Sequence, residues 1–188
     1  MLLSDELVAA QTMKWVNEFI VALNVCPFAK REVEKDSVRC VVLRSKKIEV
    51  ALEELMVEVQ WLDEHPETET TLLIFPTLFK DFHRYLDFVD MAEEMMFEQE
   101  CEGVYQLATF HPDYCFSGAE SDEVSNYTNR SPYPMLHLLR EASVDKAVEF
   151  YGDTTTIPEQ NVDKMDALGR AKLDAIFAHC MKIDVGGA

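Results

Sequence analysis

Glycine is scarce in this chain, six among 188 residues, and no GxGxxG or P-loop spacing occurs, so a nucleotide fold cannot be argued from motifs. The five cysteines, at positions 26, 40, 101, 115 and 180, include no CxxC pair and leave one unpaired by arithmetic. That excludes a thioredoxin-like dithiol and speaks against a disulfide framework, so reduced thiols in a reducing compartment are the expectation. Positive charge is in short supply: 17 Lys and Arg stand against 35 Asp and Glu, a net charge of −18. Such a field repels phosphate-rich surfaces, so neither nucleic acid nor an anionic membrane is an expected partner. No apolar run approaches the roughly 20 residues that span a bilayer. The early acidic residues in "MLLSDELVAAQTMKWV" are unlike a signal peptide, which makes a cytoplasmic location the expectation. The sequons at Asn126 and Asn129 would then be incidental. Neither an HExxH helix nor a GxSxG elbow is present; Ser117-Gly118 and Ser131 lack the context of a nucleophilic serine.

What the chain does have is hydrophobic patterning: nearly half its letters are apolar, enough for one sizeable core, and a single domain over residues 1–188 is expected. Trp15, Phe19 and Leu23 recur beside Val8, Val16 and Ile20, predicting a helix from Asp5 to Leu23, capped by Ser4 and stopped near Pro27. "SVRCVVL" (37–43), "TTLLIFP" (70–76) and "VYQLATF" (104–110) read as buried strands. Between them, Ile48, Leu52, Leu55, Val59 and Leu62 form one helical stripe, and Phe82, Leu86, Val89 and Met96 another. Strands separated by single helices usually pair in parallel, and the residues from Pro134 onward read as helical. The expected fold class is therefore α/β: a small, mainly parallel sheet of about three strands flanked by helices, with a helical C-terminal segment.

Ligands of such sheets gather at the carboxyl ends of the parallel strands. Here that edge carries "RSKK" (44–47), "PTLFKDFH" (76–83) and a third connection over 111–133. The third far exceeds the usual length of about 4–6 residues, and its aromatic content argues for an ordered functional loop. Ser131, with Pro132 and Pro134, is expected to start a helix beside Arg130, a pairing suited to a carboxylate or phosphate. His111 at the strand end, Asp113, and then His137 and Glu141 on the predicted helix offer general acid and base groups. A divalent metal held by His111, Asp113 and His137 is the less favoured reading, and no other cofactor is evident. In "NVCPFAKRE", Cys26 admits three readings: a reactive thiol tuned by Lys30 and Arg31, a haem thiolate, or a small buried sulfur at a helix stop, the last ranked first.

The stretches "LNVCPFAKR", "FHPDY" and "NYTNRSPYPMLHLLREASV" resemble the bacterial domain-of-unknown-function family 1415 over almost the whole chain. The resemblance implies where a site lies and no particular chemistry. On matching positions its signature takes in Cys26, Pro27, Phe28, Lys30, His111, Asp113, Tyr114, Asn126, Tyr127, Asn129, Arg130, Ser131, Tyr133, His137, Arg140 and Glu141; Cys115 and Ser117 fall outside it. The leading expectation is an enzyme on a small anionic metabolite. Arg130 would orient the anion with Asn126, Asn129, Tyr127, Ser131 and Arg140, and His111 or His137 would move a proton, its tautomer set by Asp113 or Glu141. The rival is a non-catalytic ligand-binding or regulatory module using the same pocket. A third reading, in which the loop only braces the fold, requires Arg130 and both histidines to be fully paired with protein groups and to face no cavity. On the leading expectation, Arg130→Lys weakens ligand binding and leaves the fold intact.

Overall fold

The computed structural model describes residues 3–183. Ser4 caps the first helix as expected, its hydroxyl accepting the Leu7 N–H at 3.2 Å, but the helix is not uniform. Helix α1 (Asp5–Trp15) passes into a π-helical turn over Val16–Val21, and a short helix, α2 (Ala29–Glu34), follows the "NVCPF" bend. Then come β1 (Val38–Val42), α3 (Ile48–Glu64), β2 (Thr70–Ile74), α4 (Phe82–Glu98) and β3 (Tyr105–Phe110). The described residues end with β4 (Met135–Arg140), α5 (Glu141–Tyr151), α6 (Ile157–Leu168) and α7 (Arg170–Cys180).

Among the described residues four strands form one mixed sheet in the order β1-β2-β4-β3. Strands β1 and β2 pair in parallel, and β4 runs antiparallel to both β2 and β3. The three expected strands thus point the same way, but β3 does not adjoin β2: β4 lies between them. This corrects the mainly parallel sheet, and with it the helix expected from Pro134. "MLHLLR" is apolar on both faces, as a central strand must be: Leu136 and Leu138 are fully buried on one side, Met135 on the other. A six-residue run of that kind carries no periodicity that separates strand from helix.

The two faces have different covers. Helices α3 and α4 pack Leu55, Leu62, Phe88 and Ala92 against Leu73, Leu136 and Leu138. On the opposite face α1 and the π turn bring Val8, Trp15 and Phe19 onto Leu72, Ile74 and Met135, with Trp15 edge-on to Phe110 at 5.5 Å. At the carboxyl edge, where β3 and β4 diverge, the buried Tyr85 hydroxyl donates to the Met135 carbonyl at 2.6 Å and accepts the Phe110 N–H at 3.1 Å. One side chain of α4 therefore closes the last rung of the ladder, satisfying backbone groups that burial would otherwise penalise. No helix among the described residues is long and apolar enough to cross a membrane.

Candidate functional site

Residues 111–134, which join β3 to β4, are ordered by their own polar side chains. No helix starts at Ser131; the loop contains a short 3-10 helix (Val124–Thr128), and the chain after Pro134 enters β4. Ser131 is buried and its hydroxyl donates to the Tyr133 carbonyl at 2.6 Å. Asn126, fully buried, accepts the Phe116 N–H through Oδ1 and donates to the Glu120 carbonyl through Nδ2, both at 2.9 Å. Asn129 donates to the Thr109 carbonyl, and its own carbonyl accepts the His111 N–H. Tyr127 donates its hydroxyl to Asp174 of α7 and meets the Phe177 ring edge-on at 5.5 Å.

Arg130 fits the same pattern. Its Nε donates to the Tyr114 carbonyl at 3.3 Å, one terminal nitrogen donates to the Ser121 carbonyl at 2.8 Å, and the guanidinium lies over the Tyr127 ring, 4.6 Å from its centroid. The fork expected to face a ligand is turned onto the loop's own backbone. His111 is fully buried with both ring nitrogens occupied: Nε2–H donates to the Phe79 carbonyl at 2.7 Å, and Nδ1 accepts the Asp113 N–H at 3.0 Å. Those partners require the neutral ring protonated on Nε2. Burial holds its pKa below the usual histidine value, against the opposing pull of the Phe79 carbonyl and of Asp113 and Asp81. In this setting His111 latches the β2–α4 loop to the β3–β4 loop and has no free nitrogen for a substrate proton.

His137 stands in the middle of β4, opposite Leu72 and Ala108, not on a helix. The strand therefore puts it on the opposite face from Arg140, and the helical spacing that related His137 to Arg140 and Glu141 does not apply. The Thr70 hydroxyl donates to the Leu138 carbonyl, so it accepts from His137 Nε2–H, with both contacts at 2.6 Å. Burial pushes the His137 pKa down to about 4. Arg140 is spent on the end of α3, reaching the Leu62 carbonyl at 2.6 Å, the Thr68 carbonyl at 3.1 Å and the Tyr105 hydroxyl at 3.1 Å. Glu141 accepts the Gly103 N–H at 3.3 Å. Cys26 is half-buried; burial raises its pKa, while the backbone N–H groups of Phe28 and Ala29 pull the other way. Lys30 and Arg31 are exposed and face Glu34 and Glu32. Among the described residues no three His, Cys, Asp or Glu side chains lie together as a metal cluster would.

A different group of residues gathers at the same carboxyl edge. The β1–α3 and β2–α4 loops, with the first turns of α3 and α4, border an open cleft of about 860 Å³. Lys46 and Lys47 line it from the first loop, Lys80 from the second and Arg84 from the first turn of α4. All four are exposed, and among the described residues none makes a side-chain hydrogen bond or an ion pair. Thr77, also in the lining, joins the loops by donating to the Ser45 carbonyl at 3.4 Å. Asp81 is in the lining too, but one carboxylate oxygen caps α4 by accepting the Arg84 N–H at 3.0 Å. The wall at Phe79 is held in a left-handed backbone conformation, φ 61°, unusual for a bulky residue. Its ring stacks on Phe88 at 4.3 Å and meets Phe75 and Tyr85 edge-on, and His111 holds its carbonyl, so the surroundings maintain the geometry.

Length sets the third loop apart in the sequence, and charge sets apart the other two. In a chain with twice as many acids as bases, "RSKK" and "FKDFHR" place cations at the ends of two adjacent parallel strands. Neither a curated protein nor a solved structure matches this chain. A family model described as "Protein of unknown function (DUF1415)" matches residues 7–175, taking in the whole sheet, both carboxyl-edge loops and the braced connection. The chain belongs to domain-of-unknown-function family 1415.

Proposed function

We propose that this protein is a cytoplasmic binding module for a small anionic metabolite bearing phosphate or carboxylate, seated in the cleft between the β1–α3 and β2–α4 loops. The observation that carries the reading is the set of four cations, Lys46, Lys47, Lys80 and Arg84, lining one cleft without a carboxylate partner among the described residues of a chain charged −18. The lining also carries the carboxylates of Glu49 and Asp81, so its four cations leave it net positive in a chain that is otherwise strongly acidic. The cleft falls within the usual volume of small-ligand sites, about 300–1,000 Å³. Proton transfer by His111 receives no support from its geometry, because both ring nitrogens are already bonded. Binding is therefore preferred to histidine acid/base turnover.

The test is an anion-retention screen on purified protein, followed by titration of the retained anion against the parent and the variant Lys80→Gln/Arg84→Gln. Each exposed charge contact contributes about 0.2–1 kcal/mol, so affinity should fall about two- to thirtyfold with the melting temperature unchanged. Retention of no anion, or equal affinity in the variant, would remove the proposal. Release of a chemically altered ligand would establish turnover in place of simple binding.

A further inference from the structure

Resting on the cleft proposed above, we infer that its ligand carries two separate anionic groups on a carbon frame, each group taken by cations from a different loop. Lys46 and Lys47 belong to the connection that leaves β1, Lys80 and Arg84 to the connection and first helical turn that follow β2. Apolar side chains of Ile48, Val50 and Leu78 share the lining with these two pairs. A single inorganic anion would engage one pair and leave the apolar wall and the other cations in water. A dianion with a short aliphatic frame uses all three parts of the lining.

One further detail fits this division. Helix α3 begins without a side-chain cap, because its N-cap is Lys47, whose side chain has no acceptor to offer the first-turn N–H groups. Helix α4, by contrast, is capped by Asp81. The Lys46–Lys47 side of the cleft thus keeps backbone donors that the Lys80–Arg84 side has already used, beside one carboxylate, Glu49, in the same first turn.

The experiment compares three probes by calorimetry at low ionic strength: orthophosphate, hexyl phosphate and hexanediol bisphosphate. It uses the full chain, the variant Lys46→Gln/Lys47→Gln and the variant Lys80→Gln/Arg84→Gln. In the parent, the bisphosphate should bind at least about tenfold tighter than hexyl phosphate, because the second contact is made intramolecularly. In either variant that advantage should disappear, both probes binding with similar weak affinity. Equal binding of mono- and bisphosphate by the parent overturns the two-anion inference and leaves the anion-binding proposal standing. The inference also fails if either variant keeps the full advantage. Binding of none of the probes, when the retention screen has found an anion, likewise sinks the inference alone; an empty screen as well sinks both.

Discussion

Arg130 makes its contacts with the molecule itself. Two donors of its planar fork are bonded to carbonyls of Tyr114 and Ser121, and its π face rests on Tyr127, geometry that an ammonium cannot reproduce. Arg130→Lys should therefore lower thermal stability by about 1–3 kcal/mol, on the scale of hydrogen bonds to charged groups, and leave anion affinity as it was. Paired thermal melts and titrations distinguish this outcome from the reverse pattern expected of a ligand-binding arginine. The same residue shows what remains hidden in a sequence. Arginine, asparagine and serine are the side chains that bind anions, and they are equally the side chains that satisfy the backbone of a long loop. Their letters do not say which way they turn. His111 was placed at the right edge by its position after a strand; what could not be read was that its two neighbours in space, the Phe79 carbonyl and the Asp113 N–H, would occupy both nitrogens.

Among the elements, β4 has the most consequences. Strands β1, β2 and β3 are legible because β-branched or aromatic letters end at turn residues, and α3 and α4 because their apolar stripes keep helical spacing. Strand β4 is rich in leucine, follows a proline and precedes a helical stretch, so only its tertiary setting makes it a strand. His137, in its centre, gives the sheet an acid-sensitive point. Its pKa is about 4 in the fold against an ordinary 6.5, so the unfolded chain takes up the proton first. The stabilisation is thus complete above about pH 6.5 and is lost as the pH falls toward 4. At about 1.4 kcal/mol per pKa unit the full difference amounts to roughly 3 kcal/mol. His137→Gln keeps a donor for Thr70 without a titrating ring. Between pH 7 and 4.5 it should lose less stability than the parent, as denaturant melts at matched pH would show; parallel pH profiles would mean that His137 is not the sensitive group.

For the molecule as a whole, charge acts with opposite sign on folding and on binding. With −18 distributed over 188 residues, self-repulsion works against the compact state. The cleft cations, in contrast, depend on long-range attraction for their ligand. Raising salt from about 0.01 M to 0.15 M shortens the screening length from about 30 Å to about 8 Å. Chloride should therefore raise the melting temperature while weakening anion affinity, and a titration of both quantities in the same buffers would reveal any common direction.

The position of β4 also bears on how the chain is made. Leu72 and Ala108 both pair with His137, so the interior of the sheet closes only through a strand that a ribosome delivers after β1, β2 and β3 have all emerged. In the finished sheet β2 and β3 each pair with β4 and not with each other, so neither gains its inner partner until residues 135–140 are in place. That pairing requires closure of the whole 111–134 loop, and the bracing by Asn126, Asn129 and Arg130 offsets part of its entropy. Completion of the sheet thus waits on the last of its strands in chain order, and the polar residues of the loop fix the path by which that strand enters.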